Sequence, residues 1–212
     1  LKRLGASCDW SKTAFTMDDN YTKAVQEVFV KLYNDKMIYQ GERIINWDPV
    51  GLTALSDEEV IHKEKNGKLW HFKYPIKNSK DFIVVATTRP ETMLGDTGIA
   101  VNPDDGRYTN LIGENVVLPI INKEIPIFSD SYVDKEFGTG CVKVTPAHDL
   151  NDFDMGQRHK LELINIFHPN AKLNENVPDS YKGLDRYEAR KKVVEELESL
   201  NLLEKIEDYE HS

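Results

Sequence analysis

From Ile38 onward the apolar residues come in short runs, and that shortness limits the folds open to the chain. Ile44-Ile45, Glu59-Val60-Ile61, Leu69-Trp70-His71-Phe72, Phe82-Ile83-Val84-Val85, Ile99-Ala100-Val101, Val116-Val117-Leu118 and Cys141-Val142-Lys143-Val144 are too short for helices and rich in β-branched residues. Pro90, Pro103, Pro119 and Pro126 punctuate them. Asn66-Gly67, between alternating segments, predicts a hairpin, because both residues tolerate the positive φ of a type I′ turn. Many short strands separated by turns predict a β-barrel-like, strongly twisted sheet over 38–170.

Two helices bracket that body. Thr16 followed by Asp19 has the spacing of a capping box, and Tyr21, Val25, Val28, Phe29, Leu32 and Tyr33 recur at helical spacing, which predicts a helix over 18–36. Its aromatic stripe is expected to pack on this body or on a neighbouring domain. After Pro178, Asp185 reads as an N-cap, and Tyr187, Ala189, Val193, Val194, Leu197 and Leu200 form the apolar stripe of a helix over 186–199. The expected fold is α+β, with a barrel-like core and flanking amphipathic helices. It is read as one domain of three parts: an N-terminal segment and helix (1–37), the β-rich core (38–170), and a C-terminal helix and exit segment (171–212).

With 212 residues, 40% of them hydrophobic, the chain can bury a real core. No apolar run approaches the roughly 20 residues a bilayer demands, so no membrane partner is expected. The start, Leu1-Lys2-Arg3-Leu4, has neither an initiator Met nor a signal-peptide core, as expected of a piece excised from a longer protein. Cys8 and Cys141 stand far apart without Cys or His partners at metal spacing, which argues against a zinc site and for a reducing cytoplasm. A net charge of −9 ordinarily counts against nucleic acid, although a fragment can present one RNA terminus to a local pocket.

Chemistry concentrates in two segments. Gly138-Thr139-Gly140-Cys141-Val142-Lys143-Val144-Thr145-Pro146-Ala147-His148-Asp149-Leu150-Asn151-Asp152 joins a cation, an imidazole and two carboxylates on a strand and the turn leaving it. Strand alternation puts Lys143 and Thr145 on one face. A helix beginning near Asp149 would set Asp149 and Asp152 on one side of its first turn, where such carboxylates also serve simply to stabilise the helix dipole. Thr87-Thr88-Arg89-Pro90-Glu91-Thr92 crowds hydroxyls, a guanidinium and a carboxylate at the end of the strongest strand signal, and Gly95-Asp96-Thr97-Gly98 adds a close-approach turn. These groups suit an ammonium, a polar side chain and an anionic portion of one ligand. The fingerprints of serine hydrolases, zinc proteases, Walker loops and Rossmann folds are absent, so the residues by themselves name no catalytic class.

Both segments, with Met93-Leu94-Gly95-Asp96-Thr97, Gly5-Ala6-Ser7-Cys8-Asp9-Trp10 and Asn46-Trp47-Asp48-Pro49, resemble the editing domain of valyl-tRNA synthetases, an insertion in a class I aminoacyl-tRNA synthetase. The resemblance covers nearly the whole chain. It implies a deacylase that hydrolyses the ester of threonine misattached to the 3′ end of valine tRNA. A hydrophobic activation site cannot strongly reject an isostere that adds a hydroxyl, and threonine against valine in this family is the known instance.

By resemblance, Asp152 anchors the substrate ammonium, Asp149 assists it or reads the threonine hydroxyl, and Lys143 orients the ester or stabilises charge on its carbonyl oxygen. Thr145, Thr87 and Thr88 shape the side-chain pocket, and Arg89 and Phe137 contact the terminal adenosine. The attacking group is expected to be water, aided by a ribose hydroxyl of the substrate. His148 is either a general base or a structural histidine. Asp152→Ala and Lys143→Ala are each expected to abolish hydrolysis with the fold intact. No metal or cofactor is expected in this domain, ATP and magnesium belonging elsewhere in the parent. The chain itself lacks the signatures for amino-acid activation. Its expected partners are the tRNA end and the rest of the synthetase, with the chain itself a monomer. Two alternatives stand beside this: a module that binds the aminoacylated end without hydrolysis, and the editing domain of a leucyl or isoleucyl enzyme.

Overall fold

The helix expected near the N-terminus forms as α1, Asp19–Asn34, in the computed structural model, which describes all 212 residues. Thr16 does not cap it. Asp18 is the N-cap residue, and its carboxylate turns back to accept from the Phe15 N–H at 3.0 Å. No residue of α1 is buried, and Tyr21, Val25, Val28, Phe29 and Tyr33 expose between 49% and 66% of their surface. The stripe expected to pack is thus exposed within this chain. α1 belongs to the first of two compact units, Leu1–Arg43, the second being Ile44–Ser212.

The second unit is built from three sheets. Strands β1 (Asn46–Asp48) and β2 (Thr53–Leu55) make a small antiparallel pair. β3 (Lys65–Pro75) lies between β4 (Phe82–Thr87) and β9 (Leu203–His211), antiparallel to both. The third sheet has the order β6 (Asn115–Leu118), β7 (Lys123–Ser129), β5 (Gly98–Val101), β8 (Cys141–Val144), with β5 parallel to β7.

The expected barrel does not close. Closure needs continuous backbone ladders around the ring. β8 runs beside β4, but there the Cys141 thiol donates to the Val84 carbonyl at 2.7 Å, so a side chain stands where a ladder bond would. The other end is joined only by a single bridge between Ile76 and Val116. Phe72, Tyr74, Val85, Ile99, Val101 and Val116, all with no exposed surface, fill the space between the two larger sheets.

Three further expectations fail locally. Asn66-Gly67 makes no turn: both residues lie inside β3, opposite Glu210 and Tyr209 of β9. A Cβ on Gly67 would collide with the His211 ring, so the glycine makes room for that side chain to cross the ribbon. Glu59-Val60-Ile61 is not a strand either, because Asp57–Glu59 winds into a short 3₁₀ turn closed by a Ser56–Glu59 capping box. Ile44-Ile45 is likewise outside any strand, with β1 beginning at the next residue.

The C-terminal helix forms as expected. The last two helices are α2 (Leu150–His159) and α3 (Arg186–Ser199). Asp185 caps α3, accepting from the Tyr187 N–H at 2.8 Å, while Glu188 returns to the Asp185 N–H. Ala189, Val193 and Leu197, four residues apart, bury one face of α3 in the core.

Candidate active site

β4 delivers Thr87 to the edge of its sheet, and Pro90 then starts a buried 3₁₀ turn, Pro90–Gly95. The Thr87 hydroxyl accepts from the Arg89 N–H at 3.0 Å, and the Thr92 hydroxyl donates to the Arg89 carbonyl at 2.9 Å. Arg89 is thus pinned at its backbone on both sides. Its side chain is 46% exposed, and Nη1 donates to the His148 carbonyl at 2.8 Å. This joins the threonine-rich turn to the segment that leaves β8.

On β8 the expected shared face is real. Lys143 Nζ donates to Thr145 Oγ1 (2.6 Å), to Thr92 Oγ1 (3.0 Å) and to Asp96 Oδ1 (2.9 Å). An ammonium has three donors, and all three are taken inside the protein. Asp96 has no exposed surface and also accepts from Thr145 Oγ1 at 2.5 Å and from the Tyr74 hydroxyl at 2.8 Å. It is the hub of the cluster. Burial raises the Asp96 carboxyl, against the opposing pull of Lys143, and burial followed by Asp96 raises the Tyr74 phenol. We read the group as the ion pair Asp96⁻–Lys143⁺, since the carboxylate oxygens accept every available bond and the ammonium donates every one.

Asp152 differs. It lies in the first turn of α2, 8% exposed, and accepts from the Thr145 N–H through Oδ2 at 2.9 Å. Its Oδ1 takes no bond from the chain. Burial pushes its pKa up to about 7, with the Lys143 charge pulling the other way. Asp149 is the exposed N-cap of α2, and its Oδ1 accepts from the N–H groups of Asn151 (2.9 Å) and Asp152 (3.2 Å). The bland role considered for such carboxylates is therefore filled by Asp149, while Asp152 keeps an oxygen free.

His148 is half-buried, and its Nε2 accepts from the Ile166 N–H at 3.0 Å. That lone pair is unavailable to a substrate proton. Burial, then the charges of Arg89 and Lys143, depress the His148 pKa to about 3.

One continuous set of hydrogen bonds thus gathers Thr87, Arg89, Lys143, Thr145, His148, Asp149 and Asp152. Thr88 lies in the bend between β4 and that turn, half-buried, with no side-chain bond of its own. Phe137 stands apart from the hydrogen-bonded set, 57% exposed, edge-on to Tyr209 with ring centroids 6.4 Å apart. Its loop returns to β8 through Gly140 at φ 77°, where any side chain would strike Arg107.

Sequence reasoning left out Asp96, Thr92 and Glu91 as site residues, although it quoted the motifs containing them. A carboxylate framed by Gly95 and Gly98 was the available signal for Asp96. A cavity of about 320 Å³ also borders Asp96, lined by Leu94, Leu118, Ile121, Ile164, Lys123 and Glu162, and none of the residues nominated from sequence lines it.

Comparison with known proteins adds three findings. The family described as tRNA synthetases class I (I, L, M and V) matches residues 1–204. Valine–tRNA ligases from Geobacter sulfurreducens and Thermotoga maritima are each 57% identical to the chain over its full length. The chain spans 24% of each of those ligases, about a quarter.

Among solved structures, the ternary complex of Agrobacterium radiobacter K84 agnB2 LeuRS with tRNA and LeuAMS matches 98% of the chain and 34% of its own, with a TM-score of 0.51 at 21% identity. A structure titled GlLeuRS-CP1 matches 66% of the chain and 99% of its own, with a TM-score of 0.50 at 12% identity. Both likenesses speak to the fold alone. No helix is long and apolar enough to cross a membrane.

Proposed function

The chain belongs to the class I tRNA synthetases of the isoleucine, leucine, methionine and valine group, and from that premise we propose that it hydrolyses threonine from the 3′ end of valine tRNA. The observation that carries this reading is Asp152: a buried carboxylate with one oxygen fixed by the Thr145 N–H and the other unclaimed. An α-ammonium bound there would complete a charge-assisted pair and stabilise the ionised carboxylate. The full-length match to valine–tRNA ligases supports valine as the cognate amino acid.

In this reading Asp152 holds the ammonium, and the saturated Lys143–Asp96–Thr145 cluster forms a rigid floor beneath it. Lys143 acts through its charge and through the hydroxyls it orients, since its donors are already engaged. Arg89, with most of its guanidinium donors open, meets the anionic part of the terminal nucleotide, and the exposed Phe137 ring offers it a stacking surface. Thr87 and Thr88 wall the side-chain pocket, and a valine ester leaves the polar wall unpaired where threonine would bond it. Water adds to the ester carbonyl, the carbonyl–ribose oxygen bond breaks, and the released ribose oxygen takes up the proton given up by water.

A second reading is favoured by one observation. The Lys143 donors and the His148 Nε2 lone pair are all occupied, which suits a module that grips the aminoacylated end without hydrolysing it. Deacylation of threonyl, valyl and isoleucyl esters of one tRNA separates the two. Rapid release of threonine with valine retained supports hydrolysis. Tight binding of all three without release supports the module, and preferential release of another amino acid refutes the threonine assignment.

A further inference from the structure

Glu91 is the second residue of the buried 3₁₀ turn, two along from Arg89, and its side chain is only 1% exposed. Its partner comes from α3, 99 residues along the chain: Arg190 Nε reaches Oε2 at 2.7 Å and Nη2 reaches Oε1 at 2.8 Å. The fork is bidentate, and the guanidinium also lies over the rings of Tyr187 and Trp70, at 5.4 Å and 5.8 Å from their centroids. Glu91 raises the Arg190 pKa further, so this cation is permanently charged. The second cation near Glu91 is Arg89, whose Nε stands 3.9 Å from Oε1, outside hydrogen-bond reach. Two arginines thus compete for one buried carboxylate, and α3 holds the winning one.

We propose that Arg190 is a positioning residue that keeps Glu91 away from Arg89, leaving the Arg89 guanidinium free for a phosphate of the RNA 3′ end. This rests on the proposed function, which assigns Arg89 that role. A carboxylate with 1% exposure must be paired. With Arg190 present, both oxygens are engaged in planar, parallel bonds, the geometry in which arginine excels. Without it, the nearest cation is Arg89, which needs to close by only about 1 Å to pair with Oε1. Arg89 captured in this way would be neutralised and withdrawn from the surface, although no residue touching the substrate had changed. The substrate-facing cation is therefore set by a helix that does not otherwise enter the site.

The test uses the 212-residue chain and an acceptor-stem hairpin RNA whose 3′ end carries threonine through an amide, so that it binds without turnover. Affinity is measured at several salt concentrations for wild type, Arg89→Ala, Arg190→Gln, Arg190→Lys and the double variant Arg190→Gln/Glu91→Gln, with circular dichroism on each.

Arg190→Gln is expected to match Arg89→Ala: about tenfold weaker binding, the scale of one charge-assisted bond, and a salt slope shallower by about one. The double variant, with no carboxylate left to capture Arg89, is expected to recover wild-type affinity and slope. Arg190→Lys retains the buried charge pair and stays readable even if Arg190→Gln does not fold. Its single-point contact leaves one carboxylate oxygen to Arg89, giving an intermediate loss. Folded Arg190→Gln or Arg190→Lys with wild-type affinity overturns the inference while the proposed function stands. A double variant as weak as Arg190→Gln overturns it too. Wild type that does not bind the RNA, or Arg89→Ala that binds as wild type does, removes the assignment of Arg89 and the inference with it.

Discussion

Asp96 and Asp152 are two buried carboxylates that both feel the charge of Lys143, and they are provisioned in opposite ways. Asp96 accepts from Lys143, Thr145 and Tyr74 and has no exposed surface. Asp152 takes a single backbone N–H and leaves an oxygen unclaimed. A saturated buried group stiffens a fold, whereas an unsaturated one raises the energy of the empty protein and lowers it again when a ligand arrives. The inner end of the cluster thus reads as scaffold and the outer end as site.

The sharpest way to break that contrast is Lys143→Met. It removes the cation from a fully buried carboxylate, and the expected loss of stability is about 3–5 kcal/mol by chemical denaturation. The expectation from sequence was that replacing Lys143 would spare the fold, and the denaturation curve decides between the two. A loss under 1 kcal/mol would place Lys143 outside the scaffold.

Asp152→Asn should do the reverse, and pH exposes it. The folded chain keeps the Asp152 proton up to about pH 7, whereas the unfolded chain releases it near 3.8. Folding therefore takes up a proton, and this group's contribution to stability falls as pH rises through that window. His148 opposes it: with a folded pKa of about 3 against 6.5, folding releases a proton, and stability is lost as pH falls below 6.5. In the wild type the two slopes cancel between about pH 4 and 6.5. Asp152→Asn leaves the His148 slope alone, so the variant gains on wild type by about 1.4 kcal/mol per pH unit as pH rises toward 7. Parallel stability curves would show that Asp152 is not held protonated.

Smaller effects mark the rim. Asp149→Ala removes the cap of α2 and should lower stability by about 1 kcal/mol in the same assay. Phe137→Ala, at an exposed ring outside the cluster, should change stability by less than about 0.5 kcal/mol while weakening RNA-end binding. A larger stability loss there would make Phe137 a packing residue.

Much of this was legible in sequence where the signal is local. Asp185 and the stripe of α3 give a cap and a periodicity that tertiary contacts did not override, and the alternation at Lys143 and Thr145 gave their shared face. What stayed hidden depends on distance along the chain. β9, with Glu204, Lys205, Glu207, Asp208 and Glu210, has the composition of an edge strand, so no apolar pattern announced it. Its pairing across β3 is also what turned Asn66-Gly67 from a hairpin signal into a strand interior. Asp96 looked like a turn residue because burial, not identity, makes it a hub. The Arg190–Glu91 fork joins residues with no pattern in common. α1 shows the limit from the other side: its periodicity predicted the helix but not what covers it.

The central claim is that Asp152 holds the ammonium of a threonyl ester, and single-turnover deacylation of threonyl valine-tRNA by wild type and Asp152→Asn tests it most directly. Wild type is expected to release threonine rapidly, and the variant, with unchanged circular dichroism, to be slower by about a hundredfold or more. Hydrolysis by folded Asp152→Asn at the wild-type rate would contradict it.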